Sequence, residues 1–201
     1  MERSKAYLTK DLITSARYGV VMLNALIVID VQNGFDDPAF GKRNNPACED
    51  NVRRLLTHWR ESDQPVVLVR HDSKHPGSPL EPGQTGNDLK PGIDGPHDLF
   101  ITKSTNSAFY GSPDLDGWLK SRGVTRVTIC GITTDHCCST TARMADNLGY
   151  SVDFVLDATH THDRTSADGS VIVADDVARV NAASLDGEFA RVITTSEAIK
   201  G

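Results

Sequence analysis

The run NALIVIDV at residues 24–31 is apolar at almost every position and rich in β-branched side chains. A strand with one wet face alternates apolar with polar residues. An unbroken run of this length belongs instead to a strand buried on both faces, and so to a parallel sheet covered by helices. PVVLVR (65–70), DLFITK (98–103), VTRVTIC (124–130), YSVDFVLDA (150–158) and FARVITT (189–195) are further runs of the same kind. Between them, PACEDNVRRLLTHWRES (46–62) carries Val52, Leu55, Leu56 and Trp59 at helical spacing. PDLDGWLKSRG (113–123) has Pro near its start and Gly123 as its stop. TTDHCCSTTARMADNLG (133–149) closes on Gly149, and 170–185 supplies a last helix. Strands alternating with helices, without hairpin signals, predict a Rossmann-like three-layer α/β/α domain over 23–201, with a central six-stranded, mostly parallel sheet.

A chain of 201 residues suits one such domain. Its formal charge of -6 argues against a nucleic-acid partner, which needs a clustered basic face. No apolar run approaches the roughly 20 residues of a membrane helix, so no membrane partner is expected. Four cysteines without a secretory signal predict reduced thiols and a cytoplasmic location. Residues 1–22 hold Glu2 and Asp11 and no sustained apolar core. They read as an N-terminal extension: an appended helix, or upstream sequence before a start at Met22.

In open α/β sheets, ligands bind beyond the carboxyl ends of the strands, where the strand order reverses. Three unusual residues fall at such ends. Asp30 lies in an otherwise apolar strand, Lys103 follows the third strand, and Cys137 lies near the start of the helix after the fourth. A buried Asp or Lys is costly unless paired, and a shared pocket supplies the pairing. The three types also suit acyl transfer from an amide. A helix start and an ammonium favour a thiolate nucleophile, and a carboxylate takes up and returns the proton. Backbone N–H groups at the helix start hold the oxyanion. The long Gly- and Pro-rich stretch 71–97 is expected to cover the site.

ALIVIDVQNGF, KSTNSAF and GITTDHCCSTTARMADNLGY together resemble the isochorismatase-like cysteine hydrolases, the superfamily of nicotinamidases, carbamoylsarcosine amidases and isochorismatases. The resemblance implies an Asp–Lys–Cys triad carried by Asp30, Lys103 and Cys137. It also implies a non-proline cis peptide between Ile132 and Thr133, which turns the Thr133 N–H toward the oxyanion beside that of Cys137. Nicotinamidases bind a metal through an Asp-x-His pair, whereas here Asp72 is followed by Ser73 and Lys74. Isochorismate cleavage does not depend on a nucleophilic cysteine, so a retained Cys137 favours hydrolysis of a small amide or carbamoyl compound through a thioester. No cofactor and no metal are expected, and relatives that form dimers or tetramers imply a homo-oligomer.

For the pocket wall, Phe35 and Phe109 flank Asp30 and Lys103, Thr134 opens the nucleophile helix, and His160 lies in DATHTHDR (157–164) after the fifth strand. Two rivals stand beside this reading. One is metal-assisted hydrolysis through His71, Asp72 and His75; the other is a binding protein on the same fold.

Overall fold

The computed structural model describes residues 23–201, and the expectation for residues 1–22 lies outside the described residues. Six strands, β1 (Asn24–Ile29), β2 (Val66–His71), β3 (Leu99–Lys103), β4 (Arg126–Ile132), β5 (Ser151–His160) and β8 (Arg191–Ile193), form one sheet in the order β3-β2-β1-β4-β5-β8. Every neighbouring pair in it is parallel. The order reverses between β1 and β4, which makes their carboxyl ends the switch point of the sheet.

The unbroken apolar runs have a simple cause. Ala25, Ile27 and Ile29 of β1 enter one core, with Val67, Val69, Val127 and Ile129. Leu26 and Val28 enter the other, with Val66, Leu68, Cys130 and Ile132. Successive side chains point to opposite faces and both faces are dry, so no position is left for a polar residue. Helix α1 (Cys48–Glu61) buries Val52, Leu55, Leu56 and Trp59 against the second face. Helix α5 (Thr195–Lys200) joins it through Ala198 and Ile199. Helices α2 (Leu115–Ser121), α3 (Ser139–Asn147) and α4 (Ala174–Leu185) cover the first face with Leu115, Leu119, Ala142, Ala145 and Leu185. Each fully buried aliphatic side chain contributes about 1.5–3 kcal/mol relative to exposure.

Four local features depart from the sequence expectation. The expected helix 133–149 begins as a π-helical turn, Thr134–Cys138, before α3. The expected helix 170–185 starts only at Ala174; before it, β7 (Val171–Ile172) pairs antiparallel with β6 (Arg164–Thr165) in a hairpin. The turn SADGS between these strands contains the signal: Asp168 accepts from Ser170, and Gly169 has φ of 84°. Helix α5 was not expected; a capping box between Thr194 and Glu197 starts it. Finally, 113–123 shortens to α2, with Asp114 as its N-cap. Among the described residues, no helix is long and apolar enough to cross a membrane.

Candidate active site

Asp30 follows β1 with φ of 51°, in the left-handed region that side chains with a Cβ seldom occupy. Its N–H donates to the Val69 carbonyl at 2.9 Å, and its side chain is wholly buried. Lys103 ends β3 in register with His71 at the end of β2. Since β2 lies between β3 and β1, two strand spacings of about 4.8 Å each separate their backbones. The long Lys103 side chain closes that gap: Nζ donates to Asp30 Oδ2 at 2.6 Å, with both side chains fully buried. The same Nζ lies 3.3 Å from Cys137 Sγ, 3.3 Å from His71 Nδ1 and 3.1 Å from the Thr105 carbonyl.

Cys137 arrives from β4 through three local devices. Gly131 has φ of 123°, and a Cβ there would stand 2.0 Å from the Ile29 carbonyl oxygen, so only glycine lets β4 pass β1. The Ile132–Thr133 peptide is cis. The π turn then shifts the hydrogen-bond register: the Thr133 carbonyl accepts from Cys138 N–H at 3.2 Å, five residues on. In an α-helix that carbonyl would take the Cys137 N–H, four residues on. The shift therefore leaves the Cys137 N–H off its α-helical partner, at a helix start whose first N–H groups already lack intrahelical acceptors.

The electrostatics are those of a protonated thiol beside an ion pair. Burial pushes the Cys137 thiol up, the Asp30 carboxylate pushes it further, and Lys103 opposes both. Burial and Asp30 thus favour the protonated thiol, which fits the expected role of the carboxylate as the group that takes up the proton. Burial alone would depress the Lys103 ammonium, but Asp30 and Cys137 outweigh it and hold it above its ordinary value. Asp30 Oδ1 is buried and, among the described residues, no hydrogen-bond donor meets it at bonding distance, although the Cys137 thiol lies close to the carboxylate. An orphaned carboxylate oxygen costs desolvation without recompense, which marks a position kept for chemistry.

A cavity of about 540 Å³ opens over this group, with Cys137, Thr133 and Phe35 in its wall. Three expected wall residues lie elsewhere, because proximity to a strand's carboxyl end does not fix which face a side chain takes. Phe109 turns into the first core and stacks on Tyr150, ring centroids 6.0 Å apart. Thr134 is buried, its hydroxyl bonded to that of Thr159 at 2.8 Å. His160 is wholly buried, 4.0 Å from Glu49, and burial depresses its imidazole to about 3, with Arg43 adding to the shift. The wall instead takes Phe40, Asn106, His71 and Arg164, none of them anticipated there; the sequence offers His71 only as a metal ligand. His71 closes β2 at the carboxyl end of the sheet, which was the signal available for it; Arg164 opens β6, beyond the end of β5. Asn106, within the KSTNSAF motif, lies 3.8 Å from Cys137 Sγ.

Asp30, His71 and Cys137 have donor atoms mutually within 4.8 Å, a spacing that suits a metal ion. The Lys103 ammonium touches all three, so a metal there would have to displace a cation already hydrogen-bonded to the set. The alternative set of His71, Asp72 and His75 loses its carboxylate, since Asp72 is held by Arg70 at 2.8 and 3.1 Å and by Asn87 at 3.0 Å.

A family model described as the isochorismatase domain matches residues 24–196. The uncharacterised isochorismatase family protein YrdC of Bacillus subtilis is 38% identical over 177 residues, covering 87% of this chain and 94% of that protein. A solved structure of an isochorismatase-family protein from Chromobacterium violaceum has a TM-score of 0.84 and 35% identity, covering 92% of this chain and 95% of its own. N-carbamoylsarcosine amidase from Thermoplasma acidophilum has a TM-score of 0.62 and 26% identity, covering 87% and 97% of the two chains.

Proposed function

The chain belongs to the isochorismatase family of hydrolases, and we propose that it hydrolyses a non-peptide C–N bond of a small amide or carbamoyl compound through a Cys137 thioester. In this mechanism Cys137 Sγ attacks the substrate carbonyl carbon while its proton passes to Asp30 Oδ1. The oxyanion so formed accepts hydrogen bonds from the Thr133 and Cys137 N–H groups. Collapse of the tetrahedral intermediate breaks the C–N bond, and Asp30 returns the proton to the departing amine. Water then attacks the thioester, Asp30 takes its proton, and the second collapse releases the acid and regenerates the thiol.

Lys103 pairs with Asp30 inside the protein and lowers the cost of negative charge on sulfur. What carries this reading is one observation: a buried ammonium bonded to both the carboxylate and the thiol, with the second carboxylate oxygen unpartnered. The likeness to an N-carbamoylsarcosine amidase supports cleavage of a C–N bond. The test is ammonia release from a panel of small amides and ureas, with Cys137→Ala as control. Wild-type protein releases ammonia and the variant falls by about 10⁴-fold or more, the scale of losing a nucleophile. Equal release by both would exclude the thioester route.

A further inference from the structure

The segment from His71 to His75 supplies His71, Ser73, Lys74 and His75 to the cavity wall, but not Asp72. The carboxylate of Asp72 points away, bound by the Arg70 guanidinium and by Asn87. Arg164 and His136 also join the wall. Arg164 is oriented by Asp135, at 2.7 Å through Nε and 3.0 Å through Nη2, which leaves its Nη1 without a hydrogen-bond acceptor among the described residues. Asp135 itself lies behind the wall with its side chain 8% exposed, and no Asp or Glu lines the cavity. Asp30 and Lys103 also lie behind the wall and offset each other. What a ligand meets is therefore a wall with Lys74 and Arg164 as its positive groups, histidines and Ser, Thr and Asn side chains among its polar groups, and Phe35, Phe40 and Leu80 as its apolar part.

We propose that this wall selects an anionic substrate: an amide that carries a carboxylate, docked by the Lys74 ammonium with Arg164 in the same wall. An exposed ammonium in a cleft of one sign raises the local concentration of anions, while the same cleft offers a cationic amide no compensating carboxylate among the described residues. His71 fits the same role. Its Nδ1 faces the Lys103 ammonium and must act as acceptor there, so the neutral ring carries its proton on Nε2 and remains a donor. The inference builds on Cys137 as the reacting group, and ammonia release reads that separately.

The test compares two electrophiles of matched shape, iodoacetate and iodoacetamide, at pH 8 and low salt, following Cys137 alkylation by mass spectrometry. The iodoacetate-to-iodoacetamide rate ratio is taken relative to that of free cysteine under the same conditions. An anion-selecting wall raises the ratio by about tenfold. Lys74→Gln lowers it by at least about threefold, Lys74→Arg restores it, and added salt depresses it in the wild-type protein. A ratio equal to that of free cysteine overturns the proposal, as does an unchanged ratio in Lys74→Gln. Failure of iodoacetate to label Cys137 overturns it as well. In turnover, succinamate should then exceed butyramide in kcat/KM. A preference for butyramide, with ammonia release still dependent on Cys137, would overturn the anionic substrate and leave the thioester mechanism standing.

Discussion

Two charged clusters lie at the carboxyl end of the sheet, the one around Glu49 partly buried and the one around Asp30 wholly so, and they differ in how their carboxylates are satisfied. In the first, both oxygens of Glu49 are taken: Oε1 accepts from Arg43 at 2.7 Å and Lys90 at 2.8 Å, and Oε2 accepts from Arg43 at 2.8 Å. In the second, Asp30 Oδ2 accepts from Lys103, and Oδ1 has no hydrogen-bond partner among the described residues. The first cluster ties the segment after β1 to α1 and to Lys90, and every charge in it has an answer. The second leaves one acceptor open beside a thiol. A satisfied buried ion pair fixes a structure; an unsatisfied one is retained where a proton has to move.

The contrast breaks first at Asp30. Asp30→Asn keeps the side chain's shape but removes the proton acceptor, so ammonia release from folded protein should fall by about 10³-fold or more, and the buried Lys103 ammonium left without its counter-charge should cost about 3–5 kcal/mol in unfolding free energy. A variant with near wild-type turnover would make Asp30 a structural residue like Glu49.

Glu49→Gln is the converse. It leaves Arg43 and Lys90 with only the exposed Asp36 carboxylate as counter-charge and should cost about 1.5–3 kcal/mol in denaturant unfolding, with folded protein still turning over. The same cluster sets the acid limit of stability. Burial alone would raise the Glu49 carboxyl, but Arg43 and Lys90 outweigh it and hold it well below its ordinary value of 4.5. A carboxyl depressed in the folded state stabilises above its unfolded value, and that contribution drains away as pH falls. Asp135 is likewise held at about 2, its burial outweighed by Arg164 and Thr161. Unfolding free energy should therefore be flat near neutrality and decline steadily from about pH 5 toward pH 2.

The smallest effect belongs to Cys138, the neighbour of the nucleophile. It is wholly buried in the first core, and burial pushes its thiol well up. Cys138→Ala should keep ammonia release within a few-fold and lose only a small amount of packing energy. A complete loss of turnover would mean that the register of the nucleophile is wrong.

Much of this contrast could be read from the sequence, and the part that could not has a definite cause. The unbroken runs at 24–31 and 65–70 marked strands dry on both sides, and the carboxyl-end rule gathered Asp30, Lys103 and Cys137 from three separate segments. Which face each neighbouring side chain takes was not readable. Thr134 and His160 sit at the right end of the sheet and point into packed protein, because a one-residue difference along a strand reverses a side chain. The π register at Thr134–Cys138 also left no mark, since its residues suit an α-helix equally well. The hairpin that brings Arg164 to the cavity was missed because its strands are only two residues long.

The central claim is that the Lys103 ammonium acts on the Cys137 thiol together with Asp30. It is tested most directly by the rate of Cys137 alkylation by iodoacetamide as a function of pH, in the wild-type protein and in Lys103→Met. Removing the cation leaves two groups that repel when both are ionised, so the thiol should hold its proton more tightly. The account predicts a profile displaced to higher pH in the variant, together with a loss of turnover of about 10²-fold or more. Superimposable profiles in two equally folded proteins would contradict it and remove Lys103 from the reacting centre.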